Sequence, residues 1–203
     1  MKIICIGRNY AEHAKEMKAE TPTEPVFFMK PETAIVRNGD PFFYPSFSKE
    51  VHHEVEIIIK INRNGKNIEK QFAHKYYDEL AIGIDFTARD LQAQCKAKGL
   101  PWEKAKAFDG SAPMGNFVPI SHFNNINDLN FRLDINGKTV QKGSTKDMIF
   151  SFDTIIEYVS KFVTLKQGDL IYTGTPEGVG PVKIDDKMEA YIENEKLFEC
   201  NVK

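Results

Sequence analysis

Three carboxylates are the residues of this chain whose types and spacing most directly imply chemistry. Glu54 and Glu56 lie two apart in His53-Glu-Val-Glu-Ile-Ile-Ile-Lys-Ile61, a run that reads as a β-strand. Successive strand side chains point to opposite faces, so the two Glu share one face, roughly 7 Å apart. Asp85 ends another apolar run, Leu80-Ala-Ile-Gly-Ile84. Convergent carboxylates make a poor core and a good site for a hard divalent cation. An isolated Glu-x-Glu is more often a solvated strand face. Here Glu56 runs straight into Ile57-Ile-Ile59, which should be buried, and a buried carboxylate needs a partner such as a metal. Of the neighbouring His52 and His53, strand alternation puts only His52 on the Glu face. Carboxylates outnumber imidazoles, so Mg²⁺, Mn²⁺ or Ca²⁺ suits the set better than Zn²⁺.

Four further groups carry chemistry. His13 and Glu16 are three apart in a helix-compatible segment and so share a face. A carboxylate that orients an imidazole makes a general base able to activate water. The segment's polarity suits a mobile lid, although chance neighbours on an exposed helix would look the same. Arg89 and Gln92 share a face one turn beyond Asp85, where a guanidinium fork and an amide can hold a carboxylate; a solvated helix face is the plainer alternative. Lys104 and Lys106 flank Ala105 near Trp102 and Phe108, and position does not choose which of them would face an oxyanion. Tyr172-Thr-Gly-Thr-Pro-Glu-Gly-Val-Gly180 is either an anion cradle or a tight turn, and it lacks the ending of a phosphate loop.

The elements that must position these residues are mostly strands. Lys2–Ile6 reads as a strand ending at Gly7, and Tyr10–Lys18 as a polar helix halted before Pro22 and Pro25. Hairpins are expected from Val51–Ile61 with Lys66–Gln71 around Asn64-Gly65, from Leu129–Ile135 with Lys138–Lys142 around Asn136-Gly137, and from Lys187–Ile192 with Leu197–Val202. Leu170–Tyr172 reads as a strand leading into the Gly-rich loop. Two helices stand out. One follows Asp85, with capping-box spacing in Thr87-Ala-Arg-Asp90, and stops at Gly99. The other is Ser151–Val163, where Phe152, Ile155, Ile156, Val159, Phe162 and Val163 repeat at helical spacing as a core stripe.

Composition excludes several function classes. The chain has 203 residues, enough for one domain with a full core. Its 27 Lys+Arg against 29 Asp+Glu leave a net charge of −2, so no basic excess calls for nucleic acid. No apolar run approaches the ~18 residues of a membrane span. The N-terminal apolar stretch is too short for a secretory signal. Three cysteines, Cys5, Cys95 and Cys200, form no paired motif and fit reduced thiols, so a cytoplasmic protein is expected.

The ordered motifs resemble the fumarylacetoacetate hydrolase family. They are Gly7-Arg-Asn-Tyr-Ala-Glu-His-Ala-Lys-Glu-Met17, Lys30-Pro-Glu-Thr33, Glu54-Val-Glu56, Gly83-Ile-Asp-Phe-Thr-Ala-Arg-Asp-Leu-Gln92, Gly99-Leu-Pro-Trp102, Gly143-Ser-Thr-Lys-Asp-Met-Ile-Phe150 and Gly168 through Pro181. Each is weak alone; the set, in order over nearly the whole chain, is specific. The resemblance is closest to the short branch, which includes acylpyruvate hydrolases, oxaloacetate decarboxylases and tautomerases, and hydroxymuconate-type isomerases. It implies an α+β, β-rich fold, a mixed β-roll or sandwich with few helices. It further implies a single catalytic domain over 1–203, with a mobile lid within 1–25, and a homodimer. By the same resemblance Glu54, Glu56 and Asp85 hold Mg²⁺ or Mn²⁺, with Ca²⁺ as a bound substitute. His13 and Glu16 form the acid–base dyad, and Lys106 rather than Lys104 is the catalytic lysine. Arg89, Gln92, Thr175 and Lys30 contact substrate. Glu177 and Glu103-Lys104 depart from the family pattern and bear on substrate choice.

The implied function is divalent-metal-dependent hydrolysis of the C–C bond of small β-dicarbonyl acids such as acylpyruvates, through a metal-bound enolate. Decarboxylation or keto–enol isomerisation of oxaloacetate or a hydroxymuconate-type diacid on the same site is the alternative. A metal-dependent binding protein without turnover is a third hypothesis, disfavoured by His13, Glu16 and Lys106. The expected ligand is a small 2-oxo acid, with neither nucleic acid nor membrane as partner.

Overall fold

The computed structural model describes residues 1–17 and 20–203. Its strands are β1 (Ile3–Gly7), β2 (Val26–Lys30), β3 (Ile35–Arg37), β4 (Val51–His53), β5 (Val55–Ile61), β6 (Tyr77–Ile84), β7 (Thr87–Ala88), β8 (Ala112–Met114), β9 (Val118–Pro119), β10 (Asn130–Ile135), β11 (Lys138–Ser144), β12 (Leu170–Tyr172), β13 (Gly180–Pro181), β14 (Lys187–Ile192) and β15 (Glu195–Asn201). The α-helices are α1 (Ala11–Glu16), α2 (Lys70–Ala73), α3 (Arg89–Lys98), α4 (Glu103–Lys106) and α5 (Phe152–Phe162). The β-rich α+β architecture expected from the sequence is the one observed.

A mixed sheet runs β2-β1-β12-β5-β6-β8-β3, with β9 on β6. Only β1–β12 and β3–β8 pair in parallel within it. A four-stranded antiparallel sheet, β11-β10-β14-β15, and a small sheet, β13-β4-β7, complete the fold. Strand alternation sorts the isoleucines of β5. Ile57, Ile59 and Ile61 enter the main core with α5, while Ile58 faces a smaller cluster with Cys5 and Tyr172. Glu56 and Ile58 therefore share the face on which the site is built.

Two hairpins form as read. β10 pairs with β11 around Asn136-Gly137, both at positive φ, and β14 pairs with β15. The Lys66–Gln71 strand does not form. β5 pairs with β6 instead, and Gly65 bridges to Leu165. The reason lies in composition: 62–70 is polar apart from Gly65 and Ile68, whereas Leu80, Ile82 and Ile84 give β6 an apolar face to pair and bury. The capping box is absent too. Thr87 lies in β7 with its hydroxyl on Asp85 O, and Asp90 accepts from the Leu91 N–H and the Ser48 hydroxyl.

Helix α5 starts at Ser151, whose side chain accepts the Thr154 N–H, and buries Phe152, Ile155, Ile156 and Val159. Phe162, expected in that stripe, is 57% exposed at the last turn and meets Phe27 and Tyr158. Helix α1 ends at Glu16; Lys18, the expected end of that helix, lies outside the described residues. No helix among the described residues is long and apolar enough to cross a membrane.

Candidate active site

The antiparallel register of β5 and β6 brings the three acids together. Val55 pairs with Ile84 and Glu56 with Gly83, and the Asp85 N–H donates to Glu54 O at 2.8 Å. Glu54, Glu56 and Asp85 thus project from one face, with a glycine opposite Glu56. A Cβ at Gly83 would collide with Pro113 O of β8 and stand 2.7 Å from Ile58 Cδ1, so the glycine lets β6 and β8 approach. One carboxylate oxygen from each acid lies within 4.8 Å of the others, and the residues are only 6%, 1% and 2% exposed. The extended run breaks at Glu54, where the chain passes from β4 in the small sheet to β5 in the large one. That break voids the simple alternation for the histidines. His52 turns to Glu50 at 2.9 Å, and buried His53 turns to Gln141 at 2.8 Å. Neither lines the site cavity.

Buried cations compensate two of the acids. Lys106 Nζ sits 2.8 Å from both Glu54 Oε2 and Asp85 Oδ2. Arg89 Nη2 lies 2.6 Å from Glu54 Oε1, and its Nη1 donates to Gln92 at 2.7 Å. Lys30 Nζ lies 2.7 Å from Asp85 Oδ1 and donates to Ser111 O. Burial pushes the Glu54 carboxyl up, but Lys106 and Arg89 outweigh it and hold the group well below its ordinary range. Burial pulls the Lys106 ammonium down, and Asp85 and Glu54 more than reverse that. Of the two lysines, Lys106 is the one that meets the acids; Lys104 is exposed. Lys30 backs Asp85 from within the protein and does not line the cavity.

Glu56 is different. Among the described residues it has no ion pair and accepts the Gly174 N–H at 2.8 Å. Burial, then the charges of Asp85 and Glu54, push its carboxyl well above the ordinary value. Three buried hard-oxygen donors, one of them lacking a cation, fit a hard divalent cation.

The Gly-rich loop cradles the protein's own carboxylates. Gly174 N–H holds Glu56, and Gly178 N–H reaches the Glu16 carboxylate at 3.1 Å. Gly174 has φ +100° and a Cβ there would lie 2.6 Å from Asn9 Cβ, so only glycine fits. The Thr173 and Thr175 hydroxyls bind Ile57 O and Val55 O at 2.8 and 2.9 Å, stitching the loop to β5.

Glu16 Oε2 lies 3.1 Å from His13 Nδ1. Among the described residues, the His13 ring is held through Nδ1 alone. His13 is only 5% exposed, and Tyr10 and Ala14 are buried, with Tyr10 edge-on to Phe131. The segment is therefore better anchored than its polarity implies. His13, the three acids, Arg89, Gln92, Lys106 and Thr175 line one cavity of about 110 Å³, with Arg8, Lys96, Trp102 and apolar side chains such as Ile6 and Phe28 also in its wall. Larger depressions at 130–147 and 122–129 contain none of the three acids.

Sequence reasoning missed Gln141 and Asn9. Gln141 uses its whole amide. Oε1 accepts from His53 and the Val55 N–H, and Nε2 donates to Thr175 Oγ1 and Pro176 O. Asn9 donates to Phe150 O and Thr173 O and accepts the Phe150 N–H. Both come from distant segments, so no local spacing marked them.

Residues 2–203 match the family model described as fumarylacetoacetate (FAA) hydrolase C-terminal. The mitochondrial oxaloacetate tautomerase FAHD1 of Mus musculus is 45% identical over 201 residues, 99% of this chain and 91% of that protein. The crystal structure of fumarylpyruvate hydrolase from Pseudomonas aeruginosa, in complex with Mn²⁺ and pyruvate, aligns with TM-score 0.93 and 36% identity, covering 100% of this chain and 89% of that one. The 5-carboxymethyl-2-hydroxymuconate delta-isomerase from Mycobacterium smegmatis aligns with TM-score 0.87 and 35% identity, covering 99% and 78%.

Proposed function

This chain belongs to the fumarylacetoacetate hydrolase family, and on that premise we propose that it is an enzyme that interconverts the keto and enol forms of oxaloacetate or a closely similar small 2-oxo acid. The observation that carries the proposal is the His13–Glu16 pair sharing a cavity of about 110 Å³ with a buried carboxylate triad. That volume suits a four-carbon acid, and the 45% identity to an oxaloacetate tautomerase supports the same substrate.

A divalent cation held by Glu54, Glu56 and Asp85 would stabilise the negative charge that develops on the 2-oxo oxygen. Mn²⁺ in the Pseudomonas relative supports that assignment. The rest falls to the chain's own side chains. Arg89 and Gln92, already joined at 2.7 Å, offer N–H groups for a substrate carboxylate. Glu16 fixes the imidazole of His13; Nε2 of His13 takes the proton from C3 of the keto acid, and the imidazolium so formed delivers it to the 2-oxo oxygen to give the enol, the reverse direction running the same transfers backwards. Lys106 lies beside the same acids and adds positive charge where the enolate forms. Proton transfer alone completes this reaction; no hydrolytic water is needed.

The second reading is hydrolysis of a C–C bond in an acylpyruvate-like acid, with the same dyad delivering water to the distal carbonyl. Similarity to a fumarylpyruvate hydrolase favours it. A turnover panel with Mg²⁺ or Mn²⁺ decides: enol- and keto-oxaloacetate, acylpyruvates, and a hydroxymuconate diacid. Fast enol–keto exchange with slow acylpyruvate cleavage supports the tautomerase; the reverse supports the hydrolase. A lid at α1, held by buried Tyr10 and Ala14 yet opening to admit substrate, a single domain over 1–203 and a homodimer complete the proposal, and light scattering tests the dimer. The three cysteines are free and buried, which suits a reducing compartment such as the cytoplasm.

A further inference from the structure

We propose that the indole of Trp102 sets the length of acid this site accepts, by walling the catalytic cavity off from an adjoining apolar compartment that would take the tail of a longer 2-oxo acid. The proposal rests on the small-2-oxo-acid reading above. Beside the cavity of about 110 Å³ lies a second of about 280 Å³. Val26, Phe28, Trp102 and Lys106 line both, and so form the partition. Beyond it the second compartment is walled by Phe27, Met29, Leu100 and Pro101, with Glu103 as its acidic group.

The division of chemistry between the two sides is sharp. The triad, Arg89, Gln92 and His13 all lie on the first side. The second side offers mainly carbon surface; of its two charged residues, Lys106 directs its ammonium to Glu54 and Asp85, and the Glu103 carboxylate repels a second acidic group. A dicarboxylate therefore keeps both charges in the first cavity. A monoacid with an unbranched alkyl tail gains from placing that tail in the second.

Trp102 is well placed to be the divider. Its ring meets Phe28 edge-on, with centroids 6.1 Å apart at 61°. Lys96 Nζ lies 5.7 Å from the indole centroid on the cavity side. Its backbone carbonyl accepts the Ala105 and Lys106 N–H groups at 2.8 and 2.9 Å, capping the turn that presents Lys106. Those backbone bonds do not involve the ring. Trp102→Ala opens the partition at the indole, with Val26 and Phe28 still in place, and leaves Lys106 anchored.

Calorimetric titration of the Mn²⁺-loaded protein with unbranched 2-oxo acids, from 2-oxobutanoate to 2-oxooctanoate, tests this without relying on turnover. Native protein should bind the short members and gain nothing from added carbons. Trp102→Ala should gain about fourfold in affinity per methylene until the compartment is full, the usual factor for a CH₂ removed from water. Trp102→Leu should show a smaller gain and carries the test if the alanine variant does not fold. Adding Leu100→Asp to Trp102→Ala should cancel the gain, because the tail then meets a charge. An unchanged length profile in both Trp102 variants overturns the proposal, as does a native protein that already gains fourfold per carbon. If native protein binds no 2-oxo acid, the reading of the site itself falls, a result distinct from either of these.

Discussion

Lys106→Met isolates what the buried ammonium does for the triad. Lys106 is 3% exposed and holds Glu54 and Asp85 at 2.8 Å each. Methionine keeps the apolar stem and deletes the charge. Removing one partner from a buried ion pair costs about 3–5 kcal/mol, because the charge left behind is uncompensated. Arg89 still serves Glu54 and Lys30 still serves Asp85, which places the loss at the lower end, about 3 kcal/mol. For a chain of this size that lowers Tm by roughly 6–12 °C. Exposed Lys104→Met is the control and should stay within ~0.5 kcal/mol. Mn²⁺ at a hundredfold over its Kd should return about 2.7 kcal/mol, offsetting most of the deficit. Scanning calorimetry of the two variants, with chelator and with Mn²⁺, reads all of this. A metal-free Lys106→Met protein melting with native would refute the claim that the triad depends on buried cations.

Two further outcomes follow from the same geometry. Gln141→Leu leaves the Val55 N–H, the His53 ring and Pro176 O short of partners; at ~1–3 kcal/mol per buried orphan it should cost about 3 kcal/mol. It should also lower kcat more than it raises KM, because the loop that holds Glu16 loosens; a neutral variant in thermal melts and kinetics would remove Gln141 from the support of the site. For Asp90, burial pushes the carboxyl up, but the Lys49 N–H, the Ser48 hydroxyl and the Leu91 N–H outweigh it and hold the pKa below its ordinary value. A depressed carboxylate stabilises the fold above its unfolded pKa and loses that contribution as pH falls through the folded one. The Tm gap between native and Asp90→Asn should therefore hold above about pH 5 and close below about pH 4; a gap that widens in acid would contradict the sign.

The sequence made the strands and the acids legible because both signals are local. Glu-x-Glu beside three isoleucines and an Asp at a strand end needed only period-two geometry and the cost of burying charge. Asn136-Gly137 fixed its hairpin because two residues at positive φ favour that turn. Asn64-Gly65 misled, since a turn dipeptide does not create a partner strand when the following residues lack an apolar face. Other features were not local. Gln141 reaches Thr175 across 34 residues and Asn9 reaches Phe150 across 141. The break between β4 and β5 that turns His52 away from the acids arises from a change of sheet, which no spacing in His52-His53-Glu54 foretells. Lys30 matched a family position near the site, but its place behind Asp85 depends on β2 packing under that carboxylate.

The central claim is that His13, oriented by Glu16, moves the proton over a metal held by Glu54, Glu56 and Asp85. The most direct test is the ultraviolet decay of enol-oxaloacetate, paired with Mn²⁺ titration, in native protein and His13→Ala. The account predicts a rate lower by about 10²–10⁴-fold in the variant, with Mn²⁺ affinity nearly unchanged because the ligands lie on β5, just past the end of β6 and in the link between β4 and β5, none of them on α1. A His13→Ala protein that binds Mn²⁺ and converts the enol at the native rate would contradict it.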